Sequence, residues 1–109
     1  MAIAEISIIP MGTKTPSVSK YVARAVKVLQ QEKDVKYEIT SMGTIVEADL
    51  DKILMVAQKM HDEAFGEEVA RVITTIKIDD RRDKGLSMSG KVSSLRDVIA
   101  RSISDEAIQ

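Results

Sequence analysis

Two stretches of helical spacing each stand between stretches that alternate, and this order restricts the fold more than any single residue does. Residues Ile3 to Ile9 read as an isoleucine-rich strand with Ala4, Ile6 and Ile8 on one face, ended by Pro10 and Gly12. Thr15 is placed as a helix N-cap with Pro16 at the first helical position. Val18, Tyr21, Val22, Ala25 and Leu29 then form a stripe that carries the helix to about Lys33. "VKYEIT" and "TIVEA" are a second and a third strand, joined through Ser41, Met42 and Gly43. Asp49 caps a second helix with a stripe of Leu50, Ile53, Leu54, Ala57, Met60 and Ala64, and Gly66 closes it. "VARVITTIKID" is a fourth strand. After the polar connection "DRRDKGLSMSG", a third helix is expected from about Val92 to Ile103, with Leu95, Val98 and Ile99 on one side.

The order β-α-β-β-α-β plus a helix is the split βαβ, ferredoxin-like pattern: an α+β sandwich with a four-stranded antiparallel sheet. Right-handed crossovers put the first and fourth strands side by side, with the helices on one face. No linker or low-complexity tract breaks the 109 residues, so one domain over 1–109 is expected.

The other face of that sheet is unusual. Alternation sends Ile3, Glu5, Ser7 and Ile9 there, with Ile45 and Glu47 from the third strand and Arg71, Ile73, Thr75 and Lys77 from the fourth. Isoleucines alternate with charges on three adjacent strands, a patch that a monomer would leave exposed. The pattern therefore predicts self-association, with a second sheet or another subunit covering this open face. On a covered face Glu5 and Glu47 need partners. Either Arg71 or Lys77 pairs with them across the sheet, or a carboxylate is left for the cation or amine of a ligand.

The triplet Met-Gly-Thr occurs twice, as Met11-Gly12-Thr13 and Met42-Gly43-Thr44. The first strand runs antiparallel to the third, so the two steps are expected to meet at one edge of the sheet. There the glycines would let backbone approach a ligand, the threonines would hydrogen-bond it and the methionines would wall it. The candidate ligand-binding residues are Ser7, Met11, Gly12, Thr13, Ser41, Met42, Gly43, Thr44 and Glu47.

Composition removes several alternatives. There is no cysteine, which excludes disulfides, thiolate nucleophiles and Cys-based metal sites. The only histidine, His61, has no second histidine near it, so no metal site and no cofactor are expected. A net charge of −1 gives no electrostatic footprint for nucleic acid or anionic membrane. One Phe and two Tyr supply no stacking platform on the open face. No apolar run reaches a membrane span, and the N-terminal residues lack the pattern of a signal peptide, so a cytoplasmic location is expected. No phosphate loop, Ser-His pairing or glycine-rich fingerprint points to an enzyme.

These residues resemble a known family. "EISIIPMGT", "YEITSMGTIVEAD", "RVITTIKIDDRRDK" and "SMSGKV" are similar to the small archaeal and bacterial thiamine-binding proteins, relatives of the bacterial protein that binds thiamine and its hydroxymethylpyrimidine moiety. The resemblance runs from about Ala2 to Ile103 and is most specific at Met42 to Glu47 and at Asp79 to Lys84. It implies a ferredoxin-like fold, sheet-to-sheet dimers that pair into tetramers, and a pocket for a thiamine-like small molecule rather than an active site. The family often has proline where this chain has Ser41, which implies a looser second turn here. An oligomer that acts through a protein partner, with a vestigial pocket, is the alternative of a different class.

Overall fold

A computed structural model describes residues 1–12, 19–83 and 88–108. The element order is β1 (Ala2–Met11), α1 (Ser19–Gln30), β2 (Lys36–Thr40), β3 (Gly43–Ala48), α2 (Leu50–Glu63), β4 (Arg71–Asp79) and α3 (Met88–Ile108). The strands form one antiparallel sheet in the order β2-β3-β1-β4, so the first and fourth strands are neighbours, as the ferredoxin-like pattern requires.

The core lies between the sheet and two of the helices. Ala2, Ala4, Ile6, Val46 and Ala48 from the central strands meet Ala25, Val28 and Leu29 of α1 and Ile53, Val56, Ala57 and Met60 of α2. Small alanines on β1 and β3 let the helices sit close to the middle of the sheet. β4 is an edge strand, and Ile76 and Ile78 on its helix-facing side stay partly exposed rather than joining the core. The stripe of α2 is also rotated from the expected one: Val56 is buried, while Leu54 is 47% exposed. A stripe drawn through either residue has helical spacing, and only the position of the sheet selects between them.

The helix ends also depart from expectation. Thr15, Pro16 and Val18, placed at the start of the first helix, lie outside the described residues. α1 stops at Gln30, where Gln31 and Glu32 donate to the carbonyls of Val28 and Leu29 at 3.2 and 3.3 Å. Asp34 then turns the chain with a φ of 61°. Asp49 does precede α2, and its carbonyl accepts from the Ile53 N–H at 2.9 Å, but its side chain makes no capping bond. Gly66 does not close α2, which ends at a right-handed Ala64. Gly66 instead bridges to Val69, in a turn where a Cβ would sit 2.7 Å from the Tyr21 ring. β4 begins two residues later than expected, at Arg71.

The third helix is longer than its apolar pattern, with 21 residues. Its first turns lie over one end of the open sheet face, where Met88, Val92 and Leu95 share a cleft with Ile3, Glu5, Ile45 and Lys77. Lys91 pairs there with Asp79. Val98 and Ile99 are exposed further along the helix. The radius of gyration, 17.3 Å, exceeds the roughly 13 Å of a compact chain near this length, because the helix projects from the sheet. Ile9 and Ile73 on the open face remain exposed. No helix among the described residues is long and apolar enough to cross a membrane.

Candidate functional site

Among the described residues, two polar side chains are buried, and both are on β3: Thr44 is 5% exposed and Glu47 is 6% exposed. They are three residues apart, so strand alternation sends them to opposite faces. Thr44 shares its face with the core residues Val46 and Ala48, and Glu47 shares the open face with Ile45. One small ligand cannot meet both side chains directly.

Glu47 lies under the start of α3. It lines a cleft of about 530 Å³ with Lys36, Glu38, Met88, Ser89, Val92, Ser93 and Arg96. A second lobe, about 330 Å³, adjoins it through Glu38, Met88 and Val92. Strand register sets Lys36 and Ile3 beside Glu47. No hydrogen bond or ion pair is formed by the Glu47 carboxylate among the described residues. No fully enclosed side-chain oxygen or nitrogen lacks a partner there, so the Glu47 oxygens must be reached from the cleft. Arg71 cannot neutralise Glu5 or Glu47, because the register places it beside Met11 at the far end of the sheet. Lys77 is the cross-strand neighbour of Glu5.

The second Met-Gly-Thr step forms the tight turn between β2 and β3. The Thr40 hydroxyl holds it: it donates to the Gly43 carbonyl at 2.7 Å and accepts from the N–H groups of Met42 and Gly43 at 3.3 and 3.2 Å. Gly43 is not needed here for a left-handed φ. A Cβ at this position would stand 3.0 Å from the Ile6 carbonyl oxygen, so glycine permits the close pairing of β3 with β1. Beside the turn opens a cleft of about 410 Å³, lined by Ser7, Ser41, Met42, Gly43 and Thr44, with Val22, Ala25 and Val26 of α1 as its far wall.

The first Met-Gly-Thr step is elsewhere, which corrects the expected meeting of the two. β3 has only six residues and its pairing with β1 ends at Ile6↔Thr44, whereas β1 continues along β4 to Met11↔Arg71. Five residues at ~3.3 Å each put Met11 about 16 Å beyond Ile6. Met11 and Gly12 are exposed and line neither cleft, and Thr13 lies outside the described residues. Gly12 has a φ of 77°, which makes it the glycine that needs left-handed freedom.

Residues missed by the sequence reading are Lys36 and the α3 side chains Met88, Val92 and Arg96. The alternation of "VKYEIT" and the short hairpin carry enough signal to set Lys36 opposite Glu47. Nothing in the polar connection before α3 signals that the helix folds back over the sheet. In the polar connection after β4, Arg81 pairs with Asp83 and Arg82 with Asp80. His61 Nδ1 lies 2.7 Å from the Thr74 hydroxyl, and its ring meets Phe65 edge-on. No group of three acidic, His or Cys side chains among the described residues could hold a metal.

The sheet order, the crossovers and the helix layer define a ferredoxin-like α+β protein. Residues 4–96 match the family model described as thiamine-binding protein, and the chain belongs to that family. It is 46% identical over 98 residues to the UPF0045 protein YqgV of Bacillus subtilis, covering 87% of this chain and 94% of that one. A UPF0045 protein of Methanothermobacter thermautotrophicus is 43% identical over 100 residues, covering 91% of this chain and all of the other. Among solved structures, the hypothetical protein MJ1052 of Methanocaldococcus jannaschii superposes with a TM-score of 0.78 at 40% identity, covering 86% of this chain and 94% of that one.

Proposed function

We propose that this chain is a non-enzymatic, cytoplasmic binding protein for thiamine or a related aminopyrimidine, acting as one domain and serving as carrier, buffer or sensor. The observation that carries this reading is Glu47: a carboxylate 6% exposed, without a partner among the described residues, facing a cleft. A carboxylate held away from water favours a cation, and a charge-assisted hydrogen bond is stronger there than on an open surface. Thiamine offers a cationic thiazolium and an amino group, and the apolar walls from Met88, Val92 and Ile3 suit flat rings. The match to the thiamine-binding family supports the same ligand class. Calorimetric titration of thiamine into the unmodified protein and Glu47→Gln tests it. Loss of a charged hydrogen bond weakens binding by roughly 10- to 150-fold. Unchanged affinity in a folded, correctly assembled variant removes Glu47 from the site.

The same reading includes a homo-oligomer, dimer or tetramer, built through the open sheet face, supported by exposed Ile9 and Ile73 and by the bare stripe of α3. Light scattering should show more than one chain at micromolar concentration, and Ile73→Lys should dissociate it. A monomer at that concentration would remove this part of the proposal.

A further inference from the structure

We infer a second ligand site, on the other face of the sheet from Glu47, in the cleft beside the β2–β3 turn. Its floor is an unpaired strand edge. The Ile6 carbonyl points at β3, as its closeness to Gly43 shows. In an antiparallel strand the N–H and C=O of one residue point to the same side, and this side alternates along the chain. Ala4 and Ile6 therefore face β3, and Ile8 and Pro10 face the same way. β3 begins only at Gly43, paired in register no further than Ile6↔Thr44, so no strand among the described residues stands opposite Ile8. Its N–H and C=O open into the 410 Å³ cleft, beneath Val22, Ala25 and Val26.

The second observation is Thr44. It is 5% exposed, makes no hydrogen bond among the described residues, and lines the same cleft. A strand-edge N–H and C=O on the partly buried Ile8 and a nearly buried hydroxyl, without partners among the described residues, mark a place where something polar belongs. Ile6, Ile8, Val22, Val26 and Met60 give the cleft apolar walls, with Ser7, Thr40 and Ser41 toward the turn.

Chemistry narrows the occupant. An added strand would need a run of N–H and C=O groups, but the next residue facing this edge is Pro10, which has no N–H. The edge therefore offers one donor and one acceptor side by side. That pair matches a flat, largely apolar ring carrying a cis-amide edge, in which a ring N–H donates to the Ile8 carbonyl and an adjacent carbonyl accepts from the Ile8 N–H. Thr44 lies about 7 Å along the strand at ~3.3 Å per residue, within reach of a polar substituent on the ring. The ligand class is a planar heterocyclic lactam.

Backbone amide spectra of the isotope-labelled full chain, titrated with 2-quinolone and with N-methyl-2-quinolone, test this. Saturable shifts are expected at Ile8, Gly43, Thr44 and Val22, with the N-methyl compound at least about tenfold weaker, since a buried acceptor then loses its donor. Saturating thiamine should leave 2-quinolone bound. Equal affinity for the two compounds, shifts confined to residues outside the cleft, or no shifts at millimolar probe would overturn the inference. Displacement by thiamine would overturn the independence of this site and move the thiamine reading here. Because Glu47→Gln tests the open face alone, the two readings fail separately.

Discussion

The two Met-Gly-Thr steps are identical in sequence and share no structural role. At the first, Gly12 adopts a φ of 77° in open space, where an added Cβ would meet nothing within 4 Å. At the second, Gly43 has no left-handed φ, but an added Cβ would press on the Ile6 carbonyl at 3.0 Å. One glycine is required by its own torsion and the other by its neighbour. A repeated tripeptide thus reports that glycine is needed twice, not that it is needed for one reason or in one place. The lengths of β1 and β3 decide the rest: a ten-residue strand beside a six-residue one carries its end well past its partner's start.

The sharpest way to break the comparison is to add a methyl group at each glycine. Gly43→Ala crowds backbone, which cannot rotate aside, and should lower stability by about 1–3 kcal/mol, read from the urea midpoint. A fall no larger than that of Gly12→Ala would end the claim that close approach is what Gly43 provides. Next in size is Thr40→Val, which removes the hydroxyl that holds the second turn. With net values of about 0.5–1.5 kcal/mol for a hydrogen bond, a loss of about 1–2 kcal/mol is expected. Gly12→Ala should cost about 1 kcal/mol, because only the left-handed torsion opposes it. Gly12→Asn should cost less than Gly12→Ala, since asparagine tolerates that region. Gly43→Asn should be at least as harmful as Gly43→Ala. Reversal of the two asparagine results would exchange the two explanations.

The smallest effect lies away from both steps and serves as their control. Glu32 takes hydrogen bonds from Lys52 and Lys59, each at 2.7 Å, tying the end of α1 to α2. The Lys52 bond first, and Lys59 second, lower its pKa from 4.5 to about 2. A depressed folded-state pKa means that the contribution is present above the unfolded value and is lost as pH falls through the folded one. The melting-temperature gap between the unmodified protein and Glu32→Gln should therefore persist at pH 7 and close between about pH 4.5 and 2. Both lysines remain partly exposed, so the gap should be small and shrink with salt. A gap that widens on acidification would contradict the pairing.

Much of the fold was legible because it depends on periodicity. The alternation around Ile6 and Val46 and the stripe through Ala25 and Leu29 mark faces that must be buried whatever they meet. The boundaries were less legible. Gly66 looks like a helix stop, yet it is glycine because Tyr21 passes 2.7 Å from where its Cβ would be. Leu54 and Val56 both suit the face of α2, and the sheet buried Val56. Of the candidate site residues, Ser7, Ser41, Met42, Gly43 and Thr44 gather around one cleft, whereas Glu47 faces another through the sheet.

By itself the sequence determined the order of elements, the antiparallel sheet and the two faces of each strand, because apolar spacing is a local property and burial must follow it. It also determined that Glu47 and Thr44 lie on opposite faces, since that needs only the odd number of steps between them. Only the tertiary structure decided that the pairing of β3 with β1 stops five residues short of the end of β1, that α3 folds over the start of the open face, and that both buried polar residues on β3 stand without partners among the described residues. Those facts depend on where one element ends against another. Relative lengths and docking are set by packing between residues far apart in the chain, and no local spacing records them.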